Sequence, residues 1–279
     1  MDSLTPATPA KTEALARRYG AEALPAAGPW NETIATMLDH RSVRSYKPDP
    51  VPAGALESMI AAAQSAATSS NMQWWSAVAV TDPAKKKVLA EIAGGQKHIE
   101  QCPLFIAWIA DMSRNQRISN ATKTPFETMP WLETFMVASI DAALAAQNAV
   151  VAAESMGLRT VYIGAMRNDP GRVAELLGLP PQTVVVFGLC VGYATEKGAG
   201  EVKPRLPQAV VLHTERYDAS KEEALRAAYD VEMSKFSARH ELQAATWTQR
   251  VLNRLGPIKA MNGRETLRAA LAKMGFEIR

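Results

Sequence analysis

Residues 132–156 read LETFMVASIDAALAAQNAVVAAESM, and the fold turns on how they are interpreted. Small and apolar side chains run almost all the way round a helical projection of the stretch, with Ala142, Ala143, Ala145, Ala146, Ala149 and Val150 among them. A helix apolar on most faces is buried on most faces. Its alanines let another helix approach closely, so it belongs at the centre of a domain or at a subunit interface.

The remaining elements are read outward from that helix. After Gly157, residues 160–163 and 183–190 read as strands separated by a helix at 172–177. Before it, residues 104–110 and the alternating WSAVAVT of 75–81 read as strands, and residues 85–93 as a helix closed by Gly94-Gly95. Helices are expected at 30–39 and, following the Pro-rich stretch 47–52, at 53–66, with a polar turn at 68–71. Residues 1–29, rich in Ala, Pro and Thr, read as a partly ordered N-terminal extension with a short helix over 11–19. Residues 30–218 form the expected core. Residues 219–279 read as a charged helical segment, broken near Gly256-Pro257 and Asn262-Gly263, that caps the core or wraps a partner subunit.

Composition narrows the function classes. With 279 residues and 47% hydrophobic side chains the chain can bury a substantial core. Its net charge of +3 and scattered basic residues argue against nucleic acid but leave room for a small anionic ligand. Cys102 and Cys190 lie in apolar runs without metal-ligand spacing, so neither a disulfide framework nor a metal site is expected. No uninterrupted apolar run reaches about 18 residues and the N-terminus lacks a secretory core, so the expectation is a soluble cytoplasmic protein with no membrane partner.

Candidate chemistry sits in segments far apart in sequence. His40-Arg41-Ser42-Val43-Arg44 combines an imidazole, two guanidiniums and a hydroxyl, suited to a phosphate or to a ring that becomes anionic; a solvated basic helix end reads equally well. Thr68, Ser69, Ser70, Asn71 and Gln73, followed by Trp74 and Trp75, offer hydroxyls and amides for a polar chain and indoles for an aromatic wall, whereas capping accounts for the Ser and Asn alone. Gln96, in the glycine-bounded Gly94–His98 loop, is either a ligand contact or part of a helix C-cap. Tyr162-Ile163-Gly164-Ala165 ends a strand with a glycine that lets a planar group approach the main chain, and Lys203-Pro204-Arg205 can turn two cations onto one phosphate. There is no GxGxxG dinucleotide fingerprint after an early strand.

Together the motifs HRSVRSY, ATSSNMQWW, GGQKH, AAESMGLRTVYIGAMRND, FGLCVGY and KPRLP resemble, in order, the NADPH-dependent oxygen-insensitive nitroreductase branch of the nitroreductase/flavin reductase superfamily. The resemblance spans residues 34–217 and weakens beyond. It implies an α+β, nitroreductase-like fold with a central, mostly antiparallel sheet flanked by helices, in an intertwined homodimer with FMN sites between subunits. It further implies His40, Arg41 and Ser42 near the FMN phosphate and ribityl chain, Lys203 and Arg205 on the phosphate, and Arg44 at the pyrimidine edge. The turn Thr68–Gln73 contacts the cofactor in part across the dimer, Gln96 lies near the ribityl or pyrimidine region, and Tyr162 and Ile163 lead into Gly164 and Ala165, whose main chain approaches N5.

The activity so implied is ping-pong transfer of hydride from NADPH or NADH to nitroaromatic, quinone or flavin acceptors, with no catalytic acid or base. Branch members that prefer NADPH carry arginines on a C-terminal loop for the 2′-phosphate. Here that stretch reads Ser237-Ala238-Arg239-His240 and onward, which makes Arg239 and His240 the substitutes, with Arg167 assisting. Two alternatives remain: a flavin reductase feeding a partner monooxygenase, and a non-catalytic FMN-binding module.

Overall fold

The computed structural model describes residues 8–21, 23–26 and 28–279. They form two compact units, one of the described residues up to Arg41 together with residues 201–261, the other of residues 42–200 and 262–279.

The second unit is built on a four-stranded sheet of β1 (Trp75–Val80), β2 (Leu104–Asp111), β3 (Arg159–Ile163) and β4 (Thr183–Gly192). The order is β1-β2-β4-β3 and every neighbouring pair is antiparallel. Strand β2 is buried along its whole length because both of its faces are covered. Phe105, Ala107 and Ile109 point into one cluster with Leu89, Ile99 and Val173, while Leu104, Ile106 and Trp108 point into another with Met59, Ala145, Ala149 and Leu158. That is the period-two alternation of a strand with a layer on each side.

One layer comes from α3 (Ala55–Gln64) and α7 (Leu132–Ser155), the other from α4 (Pro83–Ile92), α5 (Lys97–Gln101) and α8 (Pro170–Leu177). By length and composition α7 is apolar enough to cross a membrane. Here Ala142, Ala145, Ala146, Ala149 and Val150 are buried as expected, but Ala143 is exposed, as are Met136, Ile140 and Leu144, so within one chain the helix is buried on one face rather than on most, because only the sheet side has a layer to pack against. Gly188 of β4 lies under the Phe105 ring, and a Cβ there would sit 2.1 Å from Phe105 Cζ, so the cross-strand packing requires glycine. Opposite Trp108 and Ile109 the register slips, leaving Val186 as an extra residue in β4.

All four expected strands are present, each within about two residues of its expected ends. The helix α6 (Ser113–Thr122) was not expected, because SRNQRISNAT carries almost no apolar periodicity to announce it. The C-terminal stretch divides: α12 (Leu267–Lys273) and the chain end fold onto the sheet unit, where Gln182 N–H donates to Met274 O at 2.7 Å and Phe276 meets Phe135 edge-on at 5.3 Å.

The first unit holds α1 (Thr8–Tyr19), α2 (Glu32–Leu38), the short α9 (Gln208–Val211), α10 (Glu222–Arg239) and α11 (Trp247–Leu255). Asn31 caps α2, its side chain accepting from Ile34 N–H at 2.9 Å, so the helix opens after Trp30. Tyr229, Met233 and Phe236 of α10 form its apolar centre with Leu206 and Trp247.

Candidate functional site

In the first unit the two cation-bearing segments are brought together. Arg18, at the end of α1 and only 5% exposed, donates from Nη2 to Leu38 O at 2.6 Å and His40 O at 2.9 Å, and from Nη1 to Lys203 O at 2.9 Å. Arg205 N–H in turn donates to Arg18 O at 2.8 Å, and the buried Tyr229 hydroxyl donates to Pro204 O at 2.9 Å. The carbonyls of His40 and Lys203 thus lie within the span of one guanidinium, though more than 160 positions separate them in sequence. Arg41 Nη2 also reaches Asp39 at 3.3 Å, and Lys203 Nζ sits 5.9 Å from the Phe236 ring centroid.

In the second unit, residues 42–47 run as an edge segment. Ser42 bridges Thr160 in parallel, Val43 N–H donates to Thr160 O at 3.0 Å, and Tyr46 bridges Ala194. Val43 and Tyr46 are buried, whereas Ser42 and Arg44, on either side of Val43, are exposed. Nearby, burial first and the Arg44 charge second hold the His98 imidazole below its ordinary pKa, and His98 Nε2 is buried with no hydrogen-bond partner among the described residues.

The loop 68–73 gathers several left-handed residues in one short turn. Ser70, Asn71 and Gln73 all have positive φ, at 49°, 56° and 52°. Left-handed backbone is unfavourable for residues with a Cβ and persists only where the surroundings fix it. Here Asp141 does so from α7: one carboxylate oxygen accepts from the Thr68 hydroxyl and from Trp74 N–H at 3.2 Å, the other from Ser69 N–H at 3.2 Å. Thr68 Oγ1 closes the turn by accepting from Gln73 N–H at 2.9 Å.

A second acid supports the same loop from the other end. Arg114 donates to Gln73 O at 2.7 Å and Ser76 Oγ at 3.1 Å, and Asp111 accepts from Ser76 Oγ at 2.5 Å and Ser113 Oγ at 2.6 Å. Burial pulls the Asp111 pKa upward, but the Ser113 and Ser76 hydrogen bonds and the Arg114 charge outweigh it and hold the carboxyl below its ordinary range. Beside the loop opens a cleft of about 410 Å³ lined by Met72, Gln73, Trp75, Ser76 and Arg114. Trp75 walls that cleft while its ring packs 5.4 Å from Trp108, so it is wall and core at once; Trp74 packs in the core around Ala110 and Phe276.

The other sequence candidates are placed as follows. Gln96 donates back to Ala93 O at 2.9 Å, inside a loop whose Gly94 and Gly95 have φ near 80° and close α4, so its local geometry is that of the capping alternative. Tyr162 stacks edge-on against Phe187 at 5.1 Å, and Gly164 opens a short 3-10 turn, Gly164–Asn168. Arg167 donates to the carbonyl of the bulged Val186 and passes beneath Gly164, where a Cβ would meet Nη2 at 3.4 Å. Arg239 binds Glu201 through Nε at 3.2 Å and Nη2 at 2.9 Å, and His240 stands 3.6 Å from the same carboxylate. The Arg239 hydrogen bond is the main cause of the lowered Glu201 pKa.

Sequence reasoning did not single out Arg18, Asp111, Arg114 or Asp141. For Asp141 a signal existed: one carboxylate in the middle of an otherwise apolar helix demands local partners.

Two family models match the chain, "Nitroreductase family" over residues 37–193 and "Nitroreductase family, C-terminal domain" over residues 203–279. The chain is 37% identical over 228 residues to an FMN reductase (NADPH) of Bacillus subtilis, covering 80% of this chain and 91% of that one. It is 37% identical over 204 residues to an oxygen-insensitive NADPH nitroreductase of Salmonella typhimurium, covering 73% of this chain and 82% of that one. Among solved structures, the NADPH:FMN oxidoreductase from Vibrio harveyi complexed with NAD+ superposes with a TM-score of 0.78 at 34% identity, over 89% of this chain and 100% of that one.

Proposed function

The chain belongs to the nitroreductase family, and from that premise we propose that it is an FMN-dependent oxidoreductase passing hydride from NADPH or NADH to nitroaromatic, quinone or flavin acceptors. The observation that carries the reading is the convergence of His40-Arg41 with Lys203-Pro204-Arg205. The two segments so joined carry guanidinium, ammonium and imidazole groups, which suit the dianionic end of a mononucleotide, where charge-assisted hydrogen bonds are the strong ones.

FMN, when bound, supplies the redox chemistry, accepting hydride and returning electrons. The residues around it need only bind, orient and stabilise charge. Lys203 and Arg205, with His40, Arg41 and Ser42, hold the phosphate and the adjoining polar chain. Thr68, Ser69, Ser70, Asn71 and Gln73 offer hydroxyls and amides from a loop pre-shaped by Asp141, and Gln96 contributes once its amide turns from Ala93. Arg44, projecting from an edge fixed by Val43 and Tyr46, supplies a standing positive charge at the ring edge that becomes more negative on reduction. Gly164 and Ala165, with Tyr162 and Ile163 leading into them, present main-chain N–H groups at a strand end where Gly164 leaves the backbone open to a planar ring.

The donor is assigned as NADPH or NADH without a strong preference. Arg239 and His240 face Glu201, so a 2′-phosphate competes with that carboxylate for them, and the Arg167 guanidinium is already engaged by Val186. Flavin as acceptor is favoured by the name of the Bacillus subtilis relative. The active form is proposed to be a homodimer, argued below from α7. The deciding measurement is a visible spectrum of the purified protein after incubation with FMN, followed by NADPH or NADH under anaerobic conditions. Retained flavin bands that bleach on addition support the enzyme; bands that persist with both donors would leave a binding module in its place.

A further inference from the structure

We propose that Arg18, on the N-terminal helix α1, is a positioning residue for the phosphate end of the flavin site. The proposal rests on the reading above that His40, Arg41, Lys203 and Arg205 take that phosphate. Helix α1 lies before residue 37, where the family match begins, in the stretch that reads as an N-terminal extension. It gives that extension a role in cofactor selection.

The argument is geometric. Separate cationic segments bind one phosphate only if their main chains are held at a fixed spacing, because the side chains' own rotamer freedom otherwise dilutes the encounter. Arg18 fixes that spacing with a planar fork: Nη2 holds Leu38 O and His40 O, and Nη1 holds Lys203 O. A guanidinium keeps these donors in one rigid plane, which a lysine ammonium cannot. The arrangement is locked from behind, since Arg205 N–H donates to Arg18 O and the Tyr229 hydroxyl holds Pro204 O from α10. The Arg18 side chain grips main-chain carbonyls of both segments, so it acts through its neighbours.

A residue that merely supports the fold weakens all ligands together, whereas one that spaces phosphate ligands weakens only ligands that carry the phosphate. Riboflavin has the ring and ribityl chain of FMN without the phosphate. The test is the dissociation constant of each, by flavin fluorescence quenching, for wild type and for Arg18→Ala, Arg18→Lys and Arg18→Gln. FMN affinity in Arg18→Ala should fall about ten- to hundred-fold while riboflavin affinity stays within about twofold. Arg18→Lys should recover part of the loss. Lys203→Ala sets the reference for a direct phosphate ligand and should show the same selective loss. Parallel losses for both flavins, or an unchanged FMN-to-riboflavin ratio while Lys203→Ala changes it, overturn the role of Arg18 alone. A wild type that does not distinguish FMN from riboflavin, with Lys203→Ala silent, overturns the phosphate assignment itself. Should the variants fail to fold, hydrogen exchange on the wild type decides: FMN should slow amide exchange across residues 8–20 more than riboflavin does, and equal protection counts against the proposal.

Discussion

Asp141 stabilises a loop that its own sequence disfavours. Three residues with a Cβ hold positive φ within residues 70–73, and the carboxylate satisfies Thr68, Ser69 and Trp74 in return. Losing a buried, charge-assisted acceptor costs on the order of 1.5–3 kcal/mol. Asp141→Ala should therefore lower the unfolding free energy by about that much in a urea titration and weaken flavin binding, while Asp141→Asn, which keeps an acceptor and the shape, should lose less. Equal stability in all three proteins would mean that the loop holds itself. A second contrast separates affinity from reactivity. Lys203→Ala should weaken FMN binding yet leave reduction by nicotinamide near normal at saturating flavin, whereas Arg44→Ala should lower the flavin midpoint potential and slow reduction even when saturated. An unchanged potential in Arg44→Ala would remove Arg44 from the ring edge. The motif residues were legible because clustered donors in loops serve no core. Arg18 was not, because its partners are main-chain carbonyls brought near only by folding.

At the scale of elements, the strands were readable from alternation and their flanking turns, and α7 from its alanines. Helix α6 was silent because a polar helix has no periodic signature, yet it delivers Arg114 to the loop and Ser113 to Asp111. The pair of ladder and helix ends that meet at Asp111 has a testable pH signature. Its carboxyl is held below the ordinary value of 3.8, so it stabilises the fold when ionised. That stability is fully present above the unfolded pKa and is lost as pH falls through the lower folded value. The stability difference between wild type and Asp111→Asn should be constant near neutral pH and shrink below about pH 4. Urea unfolding at a series of pH values measures it, and a difference that stays the same at pH 7 and pH 3 would mean that the ionised carboxylate is not what the serines stabilise.

At the scale of the whole molecule, α7 is only half explained by the core of one chain. Its alanine face is buried, but Leu132, Met136, Ile140 and Leu144 are 47%, 48%, 53% and 44% exposed. Positions four apart on a helix are neighbours, so these side chains form one continuous apolar stripe. Already about half buried, each would gain roughly 1 kcal/mol more on full burial, and contiguous patches of this kind mark contact surfaces. The sequence left open whether the stretch centred a domain or an interface; its two faces fit both readings at once. A second copy of the chain is the proposed occupant, since a twofold contact pairs the stripe with itself and each side chain contributes twice. The wild type should sediment at about twice the 30.2 kDa chain mass. Ile140→Glu puts a charge on each copy's contribution to that contact, where an unpaired carboxylate is costly to bury. It should shift the protein to monomer. Because the cofactor turn at residues 68–73 is proposed to act in part across the dimer, the same variant should also lose flavin on dilution. A wild type that sediments as a monomer with flavin retained would sink the dimer. An Ile140→Glu protein that stays dimeric and yellow would place the contact somewhere other than this stripe.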